Sequence, residues 1–239
     1  MTFDQREFEV RCEWGRCGLA ELSPVSDVAI VVDVLSFSTA VDIAMARGAA
    51  VFPYPLKDRS AAAYADSAGA QLASSKRDAG FSLSPSSLES IPPGYRLVLP
   101  SPNGGALCFG ANHPCLLTAC LRNATAAAKA AVRLGSTFAV IPAGETWPNG
   151  EIRPALEDLV GAGSIIACLP GRRSPEAEMA VAAFEHFRGD LKSALRECQS
   201  GKELIERGFG ADMDLAARHD VSVNVPLLAD GAFRSVAAR

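Results

Sequence analysis

An unbroken apolar run from Val28 to Val32 stops at Asp33, and beyond a Ser- and Thr-bearing turn a second apolar stretch continues with helical spacing to Arg47. A short continuous run of this kind, closed by a polar turn, reads as a buried strand, and the longer periodic one as a helix. The pattern therefore predicts a strand over Val28–Val34 and a helix over Thr39–Arg47. Further strands are expected at Ala50–Tyr54, Arg96–Pro100, Cys115–Leu121 and Phe138–Ala143. Helices are expected at Ser60–Gly69, Ala124–Leu134, Ala155–Cys168, Pro175–Arg188, Leu191–Gln199 and Ala211–His219. Alternation of the two element types implies an α/β fold, a three-layer α/β/α arrangement with a mixed, largely parallel sheet. We read residues 1–239 as one domain, a pattern that also admits two intertwined α/β subdomains. The Ser- and Pro-rich stretch Ser74–Gly94 holds few large apolar groups and reads as a long loop or lid.

Composition narrows the class. Hydrophobic residues make up 49% and charged residues 21% of the chain, which is globular rather than disordered. The net charge is −4 and no basic run exceeds two residues, which argues against a nucleic-acid partner. No signal-like start or membrane-length apolar run is present, so no membrane partner and a cytoplasmic location are expected. Seven cysteines without a C-x-x-C pair fit buried, reduced thiols better than a disulfide framework or a zinc site. Cys12 and Cys17 leave open a redox or metal pair, to which no role is assigned.

Four acid- or glycine-bearing turns carry candidate chemistry. Asp33 closes a strand where α/β sheets bind ligands and where the next helix offers free N–H groups to anions. Thr39 and Asp42 have capping-box spacing, so Ser38 or Thr39 is expected to start the helix without help from Asp33. The turn Ser101–Ala106 reads equally as an Asn-Gly hairpin or as a cradle in which Gly104 and Gly105 present backbone N–H groups to an anion. In Arg153–Gly163, Pro154 suits the first helical turn, where Glu157 and Asp158 complement the helix dipole. Gly161 and Gly163 each cost up to about 1 kcal/mol in a helix, implying room beside the acids for another backbone or a ligand. Asp212, entered through a Gly turn, reads as a cap or a ligand.

Taken in order, DVLSFST, PSPNGG, the Asn123 of LRNATAAA, PAGE, LEDLVGAG and GFGADMDLAARHDVSVNVP resemble the 2-phosphosulfolactate phosphatase family from Asp27 to Pro226. The resemblance implies an Mg²⁺-dependent hydrolase acting in coenzyme M biosynthesis, releasing phosphate and 3-sulfolactate from 2-phosphosulfolactate. It places Asp33, Asn103, Asn123, Glu157, Asp158 and Asp212 in or beside the active site. On this reading Asp33, Glu157 and Asp158 carry catalysis, and Asp33, Glu157, Asp158 and Asp212 hold Mg²⁺. Ser36, Ser38, Thr39, Asn103, Gly104, Gly105, Asn123 and Arg153 contact a small phosphorylated acid. Association as a homodimer is left open.

Elementary electrostatics agrees with a cation. Two carboxylates about 4 Å apart repel by roughly 4 kcal/mol at an effective dielectric of 20, so clustered acids need protons or a metal. Mg²⁺ suits oxygen ligands and phosphate oxygens. Attack on phosphorus by water or by an Asp are both open on this reading, and Leu35, standing where aspartyl-phosphate phosphatases have a second acid, lowers the second option.

The chain also departs from the family's pattern. Ser36 replaces the Arg of the usual DVLRAST, and the usual Gly-Glu-Arg and Gly-Phe…Asn-Ser-Pro segments read Ser75-Lys76-Arg77 and Gly80-Phe81-Ser82-Leu83-Ser84-Pro85. Arg153, Lys76 and Arg77 are the candidates to supply the missing cation. The alternatives are a different small phosphoacid substrate or a non-catalytic relative that only binds metal or metabolite.

Overall fold

The computed structural model describes residues 3–56 and 58–235. It is an α/β fold whose large mixed, mostly parallel sheet is flanked by helices. In chain order come β1 (Val10–Cys12), α1 (Gly15–Leu22), β2 (Val28–Val32), α2 (Phe37–Ala46), β3 (Ala50–Tyr54), α3 (Arg59–Ala68), β4 (Gln71–Leu72), β5 (Arg96–Pro100), α4 (Gly104–Cys108), β6 (Leu116–Ala119), α5 (Ala124–Leu134) and β7 (Phe138–Pro142). The short pair β8 (Glu145–Thr146) and β9 (Ile152–Arg153) follows. Next are α6 (Leu156–Ile166), α7 (Pro175–Phe187), α8 (Leu191–Glu197), α9 (Gln199–Glu206), α10 (Gly210–Ala216), β10 (Pro226–Ala229) and β11 (Ala232–Ser235).

The nine-stranded sheet runs β1-β7-β2-β6-β10-β11-β3-β5-β4. Two parallel blocks, β1-β7-β2-β6 and β3-β5-β4, are joined through the antiparallel hairpin β10–β11. β2 shows why its sequence is apolar at every position. Val28, Ile30 and Val32 enter one core cluster with α5, α6 and α7, whereas Ala29 and Val31 enter the other with α2. Alternate side chains leave a strand on opposite faces, so a strand covered on both sides has no solvent position.

α2 is buried from Phe37 through Met45 and packs against β3, β6, β10 and β11. Its three polar exceptions are compensated: Asp42 pairs with Arg122 at 2.8 Å, Ser38 bonds the Thr118 hydroxyl, and Thr39 donates to the Val34 carbonyl. The glycines of α6 are explained by packing. A Cβ on Gly163 would stand 1.9 Å from the Ala180 carbonyl of α7, and one on Gly161 would stand 2.6 Å from Val34.

Two expectations are corrected here. Ser74–Gly94 is not an open lid: Ser82, Leu83, Ser84, Pro85, Leu88 and Ile91 are buried, and residues Pro85–Ser90 form a 3-10 turn against α2. Its hydroxyls bond one another and the backbone, which lets a polar segment pack. Of the cysteines, Cys17 and Cys168 are exposed and Cys115 half-buried, while the others are enclosed; all seven are free thiols. Among the described residues, no helix is long and apolar enough to cross a membrane.

Candidate active site

Asp33 leaves β2 and turns into α2 with its carboxylate held in place by backbone and hydroxyl donors. Oδ1 accepts the Phe37 N–H at 3.0 Å, and Oδ2 accepts the Gly104 N–H at 2.8 Å and the Ser101 hydroxyl at 3.4 Å. The helix therefore starts at Phe37, and Asp33 accepts its first N–H, a correction to the expected capping box. The Leu35–Ser36 peptide in this turn is cis. Ser38 and Thr39 are turned inward instead. The Ser38 hydroxyl accepts the Asp33 N–H, and the Thr39 hydroxyl donates to the Val34 carbonyl.

The Ser101–Ala106 turn is neither a hairpin nor a free anion cradle, because Gly104 and Gly105 open α4. The anion that its N–H receives is the protein's own Asp33. A Cβ on Gly104 would lie 2.7 Å from Asp33 Oδ2 and 2.7 Å from the Phe37 ring, and one on Gly105 would lie 2.7 Å from the Tyr54 carbonyl. Only glycine permits this approach. Asn103, just before them, donates from Nδ2 to Glu145 Oε2 at 2.8 Å.

Asp158, in the first turn of α6, fastens two strand ends together. Its oxygens accept the Val34 N–H at 2.8 Å and the Gly144 N–H at 2.9 Å, joining the turns after β2 and β7. Glu157 is buried beside it and adds its field to Asp33, Asp158 and Glu145. Burial is the first cause that pushes the Asp33 carboxyl above its ordinary range, against the Gly104 and Phe37 N–H groups, with Glu157 adding to the rise. Asp158 is raised further, by burial and then by the neighbouring Asp33 and Glu157. Glu145 is pushed up to about 7 by burial and the charge of Asp33, opposed by the Asn103 hydrogen bond.

Asp212 is not part of this cluster. Its oxygens take the Ser84 hydroxyl, the Ser86 N–H and, at 3.1 Å, the Arg77 guanidinium. Among the described residues no group of three or more His, Cys, Asp or Glu side chains is arranged to hold a metal ion, so the expected four-acid shell does not form. Asn123 is likewise structural, accepting the Cys120 N–H and donating to the Asn224 carbonyl.

A cavity of about 190 Å³ opens in front of Asp33, and Ser36, Arg77, Asn103, Glu145 and Arg207 also line it. A second, of about 400 Å³, shares Asn103 and Glu145 and is lined beyond them by Arg16, Cys17 and Trp14. The cation expected near Ser36 is Arg77, whose Nη2 donates to the Ser36 hydroxyl at 3.0 Å. Arg153 is not itself among the lining residues but stands just behind them, with its guanidinium on Ser200 Oγ, which lines the Asp33 cavity, and over the Trp147 ring. Sequence reasoning missed Glu145 and Arg207 as site residues. Glu145 stood at a recognised strand end, but Arg207 lies in a charged stretch that marks nothing.

Comparison with known proteins decides the family. Residues 18–231 match the family described as 2-phosphosulpholactate phosphatase. The chain belongs to that family. It is 34% identical over 135 residues to the 2-phosphosulfolactate phosphatase of Methanothermobacter thermautotrophicus, covering 56% of this chain but only 57% of that relative. It is 34% identical to the probable 2-phosphosulfolactate phosphatase of Parasynechococcus marenigrum over 79% of this chain and 82% of the relative. With the like-named protein of Gloeobacter violaceus identity is 30%, over 84% and 87%.

Proposed function

We propose that the protein hydrolyses the phosphate ester of 2-phosphosulfolactate to 3-sulfolactate and phosphate, with Mg²⁺ as cofactor, in the route to coenzyme M. The observation that carries this reading is that Asp33 and Glu145 line one cavity together with the cations Arg77 and Arg207. Two acids with raised pKa values in one enclosed place are in the state that a divalent cation relieves.

The donor set suits Mg²⁺, which takes one or two carboxylates and completes its shell with waters and phosphate oxygens rather than an all-protein cage. Asp33 and Glu145 are the residues that would hold it, in place of the expected set. Glu157, Asp158 and Asp212 do not line the cavity that Asp33 and Glu145 share. When bound, the ion would withdraw charge from the phosphoryl group. Asn103 holds Glu145 in position, Gly104 and Phe37 hold Asp33, and Asp158 keeps the turns beneath them in register. Water attacks phosphorus, the ester P–O bond breaks, and the released alkoxide takes up a proton to become the hydroxyl of 3-sulfolactate. A small charged substrate and a set of free thiols suit a cytoplasmic enzyme.

Phosphate release from 2-phosphosulfolactate tests the reading. Activity should require Mg²⁺, vanish with EDTA and fall at least 100-fold in Asp33→Asn. Turnover unaffected by EDTA, or no turnover of any small phosphoacid, would overturn it.

A further inference from the structure

The cavity in front of Asp33 is lined by both signs of charge, the acids Asp33, Glu145 and Glu203 and the cations Arg77 and Arg207, with Glu203 3.5 Å from the Arg207 guanidinium. Arg77 is the better built of the two cations. Its side chain is only 10% exposed, Nη1 is 3.1 Å from Asp212 Oδ2, and Nη2 is 3.0 Å from the Ser36 hydroxyl. Asp212 is itself enclosed and fixed by Ser84 and Ser86, so the guanidinium is braced from behind. Phe209 lies between the two arginines, with the Arg77 guanidinium 5.6 Å and that of Arg207 5.8 Å from its ring centre. A guanidinium offers five N–H donors in a planar fork, so Arg77 can keep both protein partners and still donate to a ligand in the cavity.

We infer that Arg77, assisted at the rim by Arg207, is the specificity determinant of the site, binding the anionic substituent of the substrate's carbon skeleton while the phosphoryl group lies beside Asp33 and Glu145. The inference rests on the phosphatase reading for where the phosphoryl group sits. The carboxylates of Asp33 and Glu145 repel any anion unless a cation or protons intervene, whereas the Arg77 guanidinium donates to one directly. A ligand carrying a phosphate and a second anion is therefore met by a different group at each charge. Arg77 meets the side chain of Ser36 and presents a braced guanidinium there, which suits a carboxylate or sulfonate through paired N–H donors.

The test uses two isosteric esters, 2-phospholactate and isopropyl phosphate, which differ only in a carboxylate replacing a methyl group. In the intact Mg²⁺-loaded protein, the ratio of kcat/KM values for the two should fall at least tenfold in Arg77→Ala and about threefold in Arg207→Ala. Because Arg77→Ala strands buried Asp212, the double variant Arg77→Ala/Asp212→Asn is measured alongside it and should show the same tenfold fall. A ratio unchanged within about threefold in both Arg77 variants, even with both rates reduced, would overturn the inference. Calorimetric binding of 3-sulfolactate keeps the two readings separate, since it needs no turnover. Tenfold weaker binding in the double variant supports the clamp even if no ester is hydrolysed, and equal binding refutes it even if hydrolysis is observed.

Discussion

Replacing Glu145 by Gln removes a titrating group while keeping a side-chain oxygen to accept the Asn103 hydrogen bond. In the metal-free protein Glu145 has a pKa of about 7 against an ordinary 4.5. The folded state therefore binds more protons than the unfolded state between those values. Stability from this group is fully present below about pH 4.5 and is lost as pH rises through about 7. At about 1.4 kcal/mol per pH unit, the gap sets an upper limit of about 3 kcal/mol. The side chain is not fully enclosed, and solvent screening brings the expected effect to about 1.5 kcal/mol. Urea unfolding at pH 5 and pH 8 in EDTA should show the wild type losing about 1.5 kcal/mol more than Glu145→Gln over that interval. Saturating Mg²⁺ should return much of the loss at pH 8 in the wild type and less in the variant, since a ligand bound only to the folded state stabilises it. Equal pH dependence in the two proteins would refute the reasoning, because Glu145 would then carry no raised pKa in the folded state.

Three other outcomes follow from the packing. Gly104→Ala places a Cβ 2.7 Å from Asp33 Oδ2, so it should destabilise the protein by about 1–3 kcal/mol and lower phosphate release by more than tenfold, measured by thermal melting and turnover. Arg122→Ala strands the buried Asp42 carboxylate and should cost about 3–5 kcal/mol in denaturant unfolding, with Asp42→Ala/Arg122→Ala costing less than Arg122→Ala alone. Thiol titration of the native protein should label Cys17 and Cys168 rapidly and Cys12, Cys108, Cys120 and Cys198 only after unfolding. Burial keeps the last two, with pKa values pushed up to about 12, in the unreactive thiol form.

The strands at Ala50–Tyr54 and Arg96–Pro100 and the helix at Ala124–Leu134 were legible to the residue, because each is a clean apolar run or period between breakers. β1 was not, since Arg11 interrupts a strand of three residues and is satisfied by carbonyls that the sequence cannot place nearby. β10 begins at a proline, and its contact with β6 rests on a single residue pair, so the central hairpin left little periodic signal. At the site, the acids were visible as residues but their duties were not. Asp33, Asp158 and Asp212 all accept donors from distant parts of the chain, but only Asp33 among them also lines the cavity, a difference that tertiary contact alone makes. Arg77 illustrates the same point in reverse. In a Ser-rich stretch it reads as a solvated charge, yet it reaches Asp212, 135 residues away.

The position of the hairpin β10–β11 also bears on how the chain is made. Its strands occupy residues Pro226–Ser235, later than every other strand among the described residues, yet they separate β6 from β3 in the sheet. During synthesis the two parallel blocks must wait with their inner borders unpaired until this segment leaves the ribosome. Open strand borders are templates for pairing with other chains, so this interval is when the nascent protein is most exposed to self-association. Helper chaperones that hold the incomplete chain would act in this window, and slowing translation just before codon 226 should lower the soluble yield.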